Sequence, residues 1–251
     1  MILIFYLSMV LVHLISVDIR IAWAKLLLPR DRAMRMVERI AESATEFILR
    51  WGRKLIGLDI RQEPDHINLP DQFIVVANHQ SLLDILAALH SFPGKGLRFV
   101  AKRELGRHVP GASRVLRYGR HPLINRYTNF RETADILSSF SRLAKRRGFN
   151  PAVFPEGTRS RDGSLKKFNP GAYRIIQTRT MLPTVVLAID GGSKYSHFTD
   201  FLRKNDYLYR TRILGVIPAP ESKDEIKKDL ERAREMIAGQ LEIWRSPSSA
   251  R

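Results

Sequence analysis

The chain has 251 residues, with 42 Lys and Arg against 25 Asp and Glu, a formal net charge of +17, and no cysteine. Apolar residues make up 44% of the sequence, enough for a hydrophobic core, which excludes a disordered polycation. The lack of cysteine excludes disulfides, thiolate metal sites and a cysteine nucleophile. The excess positive charge predicts an anionic partner: a nucleic acid, a phospholipid surface or a phosphorylated substrate.

The first predicted element is an apolar helix over residues 1–17, which contain no charged side chain. A membrane-spanning helix needs about 20 apolar residues, and Asp18 and Arg20 interrupt this run just short of that length. Residues 22–24, with the sequence AWA, resemble a signal-peptide cleavage site. No basic residue precedes the apolar core, which argues against a signal peptide.

An amphipathic helix follows, with its start predicted at Pro29 and Asp31 and its end at Gly52. Its apolar residues recur at three- and four-residue steps between Arg and Glu. The two helices predict a membrane-docking segment over residues 1–57, a hairpin inserted into one leaflet at the cytoplasmic face. A helix that spans the bilayer, and a core helix pair of a soluble protein, remain open as alternatives.

From residue 58 onward, short β-rich runs alternate with helical patterns. Strands are predicted at 73–77, 97–101, 152–154, 182–189 and 211–217, and helices at 82–90, 131–147 and 172–179. Continuous apolar strands separated by helices indicate an α/β fold with a mainly parallel sheet flanked by helices. A charged helix at 222–244, opened by the capping residues Ser222 and Glu225, completes a predicted domain over residues 58–251.

The sequence NHQSLLD at residues 78–84 follows the first of these strands. If a helix begins at Ser81, the carboxylate of Asp84 lies in its first turn and can reach back to His79 in the loop. A carboxylate that orients an imidazole in this way leaves the outer ring nitrogen free to accept a proton. Alternatively, Asp84 serves only as a capping acid for the helix.

The sequence FPEGTRS at residues 154–160 follows a later strand. Gly157 allows a tight turn, and Arg159 can form paired hydrogen bonds with a phosphate group. A solvent-exposed turn with incidental arginines is the alternative. A cluster of eight basic side chains opposed only by Glu104, over residues 98–126, also favours a phosphate-binding face.

Together the two motifs resemble those of the glycerophospholipid acyltransferases, most closely the bacterial lysophosphatidate acyltransferases. The resemblance covers about residues 58–217 and implies that His79 and Asp84 are catalytic. It implies phosphate binding by Arg159, Arg126 and Lys102, with supporting roles for Asn78, Glu156, Gly157 and Thr158. Two positions depart from the family pattern: Asn125 stands where an acidic residue is usual, and Val186 where a second proline is common.

The resemblance implies transfer of an acyl group from an acyl thioester, acyl-CoA or acyl-carrier protein, to the free hydroxyl of lysophosphatidate. His79 is the expected general base, without a covalent intermediate, because the chain has neither Cys nor a G-x-S-x-G motif. Backbone amides near Gly157 are expected to stabilise the oxyanion. No cofactor or metal ion is expected, since the seven histidines show no metal-binding spacing.

Other functions remain open. Another lysolipid or glycerol 3-phosphate could be the acceptor, and a non-enzymatic basic peripheral membrane protein would also explain the charge and the helices. Nucleic-acid binding is disfavoured, because no zinc finger, RNP-like aromatic pair or basic recognition helix is found. The expected partners are therefore membrane phospholipids and lysophospholipids with an acyl donor, while the oligomeric state is left undecided.

Overall fold

The computed structural model describes residues 1–125, 130–195 and 207–246. Its first two elements are α1 (Ile2–Leu27) and α2 (Arg30–Ile56), which pack against each other as a hairpin. The predicted end of α2 at Gly52 is wrong, because the helix continues to Gly57, whose φ of 70° terminates it. Gly52 instead serves close packing: a Cβ there would lie 3.0 Å from the hydroxyl of Tyr6 and 3.1 Å from Leu58.

Helix α1 buries only a narrow stripe of its surface. Val17 and Ile21 are buried against Val37, Ile40 and Ala44 of α2. Most of the remaining large apolar side chains of α1 face outward, among them Ile2, Ile4, Phe5, Leu11, Val12, Ile15, Ile19, Trp23, Leu26 and Leu27. In the described ranges, α1 is the one helix long and apolar enough to cross a bilayer, and 11% of its most apolar window is buried. Such a helix is poorly suited to a soluble core and could anchor the chain to a membrane.

Among the described residues, an ion pair of Arg53 with Asp59 at 3.6 Å joins the end of α2 to β1, and three further pairs reach later parts of the chain. The pairs are Glu38 with Arg98, Asp18 with Arg114 at 3.4 Å, and Asp31 with Arg147 at 2.9 Å. Arg98 is itself buried, and its guanidinium lies 4.3 Å from the centre of the Phe149 ring. Removing one partner of a buried pair leaves an uncompensated charge, so this contact fixes where the hairpin attaches.

The main sheet has six strands in the order β1-β8-β7-β2-β6-β3. The strands are β1 (Leu58–Gln62), β2 (Ile74–Ala77), β3 (Leu97–Phe99), β6 (Asn150–Val153), β7 (Thr184–Asp190) and β8 (Tyr207–Ile217). All neighbours are parallel except β7 and β8, so the prediction of a mainly parallel sheet is confirmed. A separate two-stranded sheet pairs β4 (Ala101–Lys102) with β5 (Leu123–Ile124).

Helices cover both faces of the main sheet. On β2, Ile74 and Val76 belong to a core with α5 (Phe130–Arg147), α6 (Gly171–Thr180) and α7 (Lys223–Arg245), while Val75 and Ala77 pack toward α3 (Leu83–Ser91). A strand buried on both faces needs apolar residues at every position, which explains its continuous apolar sequence. A further α-helix of the described residues, α4 (Ala112–Tyr118), packs beside the hairpin.

The parallel strands β2, β6 and β7 end at one edge of the sheet, where both predicted motifs lie. Residues 78–84 follow β2, and residues 154–160 follow β6. Asn78 is buried and exchanges two hydrogen bonds with Ile189 of β7, at 2.7 Å and 2.8 Å. Both bonds are made by the side-chain amide of Asn78 with the backbone of Ile189, and they fix the start of the loop that follows β2.

Candidate active site

The centre of the site is a hydrogen bond between His79 and Asp84. His79 Nδ1 lies 2.8 Å from Asp84 Oδ2, and the aspartate side chain is fully buried. The same oxygen accepts hydrogen bonds from the backbone N–H groups of Gln80 and Ser81, at 2.5 Å and 2.7 Å. The carboxylate therefore caps the loop and also contacts the imidazole, so the alternative in which Asp84 serves only as a capping acid is wrong.

Helix α3 starts at Leu83, one residue after the start of the predicted helix 82–90 and two after the start at Ser81 from which the contact of Asp84 with His79 was argued. Ser81 is therefore not the helix cap, although its Oγ accepts a hydrogen bond from Leu83 N–H at 3.3 Å. The delay leaves Gln80 and Ser81 in a tight loop whose N–H groups converge on the aspartate. Because an ionised carboxylate can only accept hydrogen bonds, the contact places the proton on His79 Nδ1 and leaves Nε2 as a proton acceptor.

The imidazole is also held by aromatic stacking and by its own backbone. The His79 ring stacks on Phe154, with centroids 4.3 Å apart, and Phe154 stacks in turn on Phe99. His79 N–H donates to Glu156 Oε1, and its carbonyl accepts from Ser160 N–H, each at 2.7 Å. The two motifs, separated by about seventy residues in sequence, therefore form one hydrogen-bonded unit.

The carboxylate of Glu156 stabilises this hydrogen-bonded unit by accepting two backbone hydrogen bonds. Its Oε2 accepts a hydrogen bond from Lys166 N–H at 3.2 Å, while Oε1 holds His79. Burial raises the pKa of the Glu156 carboxyl, and the two backbone donors act in the opposite direction. Glu156 thus connects its own loop to the backbones of His79 and Lys166. Neither of these hydrogen bonds involves the imidazole ring.

The turn at Gly157 has a φ of +69°, which only glycine adopts easily. The Gly157 N–H donates to the carbonyl of Phe154 at 3.0 Å. This amide is therefore already engaged, and the expectation that it contributes to an oxyanion site is not supported for Gly157 itself. Thr158, next in sequence, is exposed, and its hydroxyl lies 3.4 Å from the ammonium group of Lys166.

The predicted phosphate-binding side chains differ from His79 and Asp84 in having few contacts. Arg159 is half-buried, and among the described residues its guanidinium has no hydrogen-bond or ion-pair partner. Lys102 is exposed and likewise has no polar side-chain partner in the described part of the chain. Arg126 lies outside the described residues. Lys166 Nζ donates to the carbonyl of Arg159 at 2.8 Å and so supports the turn that carries it.

Sequence reasoning missed the polar residues behind the loop. Gln80 is buried and contacts Asp190, which in turn contacts Arg245 at the end of α7. Asp190 could have been found, because it directly follows the predicted strand 182–189 at the same sheet edge. No local signal identifies Arg245. Within the described ranges, no group of three or more His, Asp or Glu is arranged to hold a metal ion.

Comparison with known proteins places this geometry in context. Residues 61–189, which contain both motifs, match the family described as Acyltransferase. A relative from Caenorhabditis elegans is 30% identical over 178 residues, which cover 68% of this chain and 60% of that protein. The 1-acyl-sn-glycerol-3-phosphate acyltransferase alpha of Bos taurus is 28% identical over 206 residues, which cover 78% of this chain and 66% of that protein. The chain thus spans about two thirds or less of the length of these relatives.

A solved structure shares the overall fold. The 1-acyl-sn-glycerophosphate acyltransferase PlsC of Thermotoga maritima superposes with a TM-score of 0.68 at 24% identity. The match covers 98% of this chain and 95% of that chain, and therefore includes the helical hairpin as well as the sheet. Together with the family match, it confirms the resemblance on which the two motifs were interpreted.

Proposed function

The chain belongs to the acyltransferase family, and we propose that it transfers a fatty acyl group from an acyl thioester to the free hydroxyl of lysophosphatidate. The observation that carries the proposal is the 2.8 Å hydrogen bond between His79 and Asp84, joined through the backbone to the loop that holds Arg159. A general base and a cationic group that can hold a phosphate are the two requirements for this reaction.

In the proposed reaction, His79 Nε2 removes the proton of the acceptor hydroxyl. The hydroxyl oxygen attacks the thioester carbonyl carbon, a C–O bond forms and the C–S bond breaks. The proton passes from the imidazolium to the departing thiolate, so the products are phosphatidate and a free thiol. Asp84 stabilises the imidazolium between the two steps. General-base catalysis of this kind is worth about 10²- to 10⁴-fold in rate.

A direct transfer without a covalent intermediate is supported by the surroundings of His79. The chain has no cysteine, and within the described residues no Ser or Thr hydroxyl is hydrogen-bonded to the imidazole. The hydroxyl of Ser160 in the second motif donates instead to Asp162 at 2.7 Å, and the hydroxyl oxygen of Ser81 in the first motif accepts the Leu83 N–H at 3.3 Å. The acceptor's own hydroxyl is therefore the proposed nucleophile.

The acceptor's phosphate is proposed to bind Arg159, with Lys102 and Arg126 contributing further positive charge. A guanidinium without a protein partner can form two parallel hydrogen bonds with a phosphate monoester. The formal charge of +17 favours the approach of anionic substrates in general. A phosphate held in this way would position the neighbouring hydroxyl near the base.

The substrate also explains the exposed hairpin. Lysophosphatidate resides in membranes, and the outward-facing apolar residues of α1 would bind the chain to one leaflet at the cytoplasmic face. The acyl donor, acyl-CoA or acyl-carrier protein, would then arrive from the aqueous side. Washing membranes with high salt tests this anchoring, since a purely electrostatic binder is released whereas an inserted hairpin remains.

The decisive experiment is acyl transfer by the purified protein in phospholipid vesicles. Labelled palmitoyl-CoA and palmitoyl-acyl-carrier protein are offered with lysophosphatidate, glycerol 3-phosphate, lysophosphatidylcholine or monoacylglycerol. We expect phosphatidate as the main product, and a preference of at least about tenfold over monoacylglycerol, because one charge-assisted phosphate contact is worth that much. Equal transfer to monoacylglycerol would contradict the phosphate assignment, and no transfer to any acceptor would favour a non-enzymatic membrane protein.

A further inference from the structure

The loop that carries His79 is held from behind by the side chain of Gln80. The Gln80 side chain is buried, and the backbone N–H of the same residue forms the 2.5 Å hydrogen bond with Asp84 described above. Its amide nitrogen donates to Asp190 Oδ1 at 3.1 Å, and its amide oxygen accepts from Ser193 N–H at 3.1 Å. Any movement of Gln80 would therefore move the aspartate's donor and the histidine next to it.

Asp190, at the end of β7, is in turn held by Arg245, the last residue of α7. Arg245 Nη2 donates to Asp190 Oδ1 at 2.6 Å, and Nε donates to Oδ2 at 3.2 Å. Such a two-point contact between a guanidinium and a carboxylate fixes direction as well as distance. Burial alone would raise the pKa of Asp190, but hydrogen bonds from Arg245 and Gln80 outweigh it and hold that pKa below its usual value.

Arg245 also contacts the loop that follows the second motif. Its Nη2 donates to the carbonyl of Gly163 at 3.0 Å. Gly163 packs closely on Ser193, since a Cβ at Gly163 would lie 2.9 Å from Ser193 Oγ. Ser193 is the residue whose backbone N–H binds Gln80, so these contacts form a closed ring between the two motif loops.

We infer that Gln80, Asp190 and Arg245 form a positioning network that sets the placement of the His79 loop relative to the loop carrying Arg159. The inference rests on the proposed acyl transfer and adds to it a role for the end of the C-terminal helix. These three residues do not contact the reacting atoms. They act through the backbone of residues 80 and 163, so their loss would displace the base and the phosphate site relative to each other.

The test is a double-mutant cycle on kcat with Asp190→Asn, Arg245→Ala and the double variant, using lysophosphatidate in vesicles. A displacement of about 1 Å at a reacting group can cost about 10²-fold, so each single variant should lower kcat at least about tenfold. The KM for the acyl thioester should stay within about twofold. Because both changes break the same contact, the double variant should be no slower than the slower single variant.

Arg245→Lys should recover part of the lost rate, because lysine retains a positive charge beside Asp190 but not the two-point geometry. The matched control is Arg212→Ala, which removes the 3.1 Å hydrogen bond from Arg212 to Gln240 of the same helix. That contact lies outside the ring, so this variant should keep kcat within about twofold even if its thermal unfolding temperature falls.

If Arg245→Ala does not fold, kcat is measured instead in Asp190→Asn and Gln80→Met. Asparagine is nearly equal in shape to aspartate. Single variants that all retain wild-type kcat, or a double variant whose loss is the product of the two single losses, would overturn the positioning network. A fall in kcat of the same size in Arg212→Ala would also overturn it, because it would show that kcat depends only on the packing of α7 against the sheet. Failure of the proposed function is recognised separately, because the wild-type chain would then form no phosphatidate.

Discussion

The two ends of the candidate site are built in opposite ways. At the base end, His79 and Asp84 share a short hydrogen bond, and backbone donors, aromatic stacking and a buried glutamate restrain them. At the phosphate end, the side chains of Arg159 and Lys102 have no polar partners among the described residues. Groups that perform chemistry gain from a fixed geometry, whereas groups that bind a charged ligand gain from lacking a competing protein partner.

The largest effect should come from removing the base. His79→Ala should lower kcat about 10³-fold, within the range expected for loss of a general base, and should leave membrane binding unchanged. Steady-state transfer to lysophosphatidate and sedimentation with vesicles measure the two quantities. The control is His90→Ala, which removes an exposed histidine from α3, the helix that carries Asp84, and should be fully active. Appreciable turnover by His79→Ala would remove the base from the mechanism.

At the phosphate end, the expected change is in binding. Arg159→Ala should raise the KM for lysophosphatidate about 10- to 100-fold with a smaller change in kcat, because charge-assisted hydrogen bonds contribute about 1.5–3 kcal/mol. The KM of Arg159→Lys for lysophosphatidate should lie between that of Arg159→Ala and that of the wild type. The exposed Arg174 of α6 provides a charge-matched control when replaced by alanine. If only the KM for the thioester rose, Arg159 would belong to the donor site.

The aromatic stack behind His79 extends to His121, a group that should respond to acid. The imidazole of His121 is half-buried and stacks on Phe99, and its Nδ1 accepts a hydrogen bond from the Phe99 N–H at 3.0 Å. Burial and the nearby charge of Arg98 lower the pKa of His121 to about 3. Below pH 6.5 His121 therefore binds a proton in the unfolded chain but not in the folded chain. The free energy of unfolding is retained above that pH and falls as the pH decreases from 6.5 to about 3.

At pH 5 this loss should reach about 2 kcal/mol relative to neutral pH. Urea unfolding at both pH values measures it in the wild type and in His121→Gln, whose side-chain oxygen can still accept a hydrogen bond. The variant should lose most of the pH dependence in this range. An unchanged pH dependence would show that another group controls the acid sensitivity.

The smallest effect is expected at Glu156. In Glu156→Gln the amide retains one acceptor oxygen but turns an N–H group toward the second backbone donor, while the burial of a charge is relieved. These opposing changes should leave a net destabilisation of about 1 kcal/mol, with a modest fall in kcat. Thermal unfolding and transfer assays can separate the two. A fall in kcat as large as that of His79→Ala would indicate that Glu156 takes part in the chemistry.

Much of the fold could be predicted because its central strands are buried on both faces. Their continuous apolar runs, such as the sequence of β2, have few alternative explanations. Strand β1 was missed because LDIRQ is a half-exposed strand at the sheet edge whose pattern resembles a loop. Helix α4 was missed because its seven residues are too few for a clear helical period.

The candidate site divides in the same way. The contact between His79 and Asp84 lies within six consecutive residues, and a helix beginning soon after His79 was enough to predict it, although Ser81 is not the cap. The contact of Arg245 with Asp190 joins residues that are distant in the chain, and nothing near either one indicates the other. The end of α2 was placed too early because glycine both terminates helices and allows close packing, and Gly52 does the second.

The order of strands has a consequence for how the chain is made. Leu58 in β1 pairs with Tyr207 in β8, and β1 has no other strand neighbour in the described sheet. During synthesis, β1 must therefore wait until residue 207 has left the ribosome, whereas α1 and α2 can pair as soon as they emerge. The exposed apolar surface of the hairpin thus exists well before the sheet that carries both motifs is complete, which lengthens the period in which the nascent chain needs a partner for that surface.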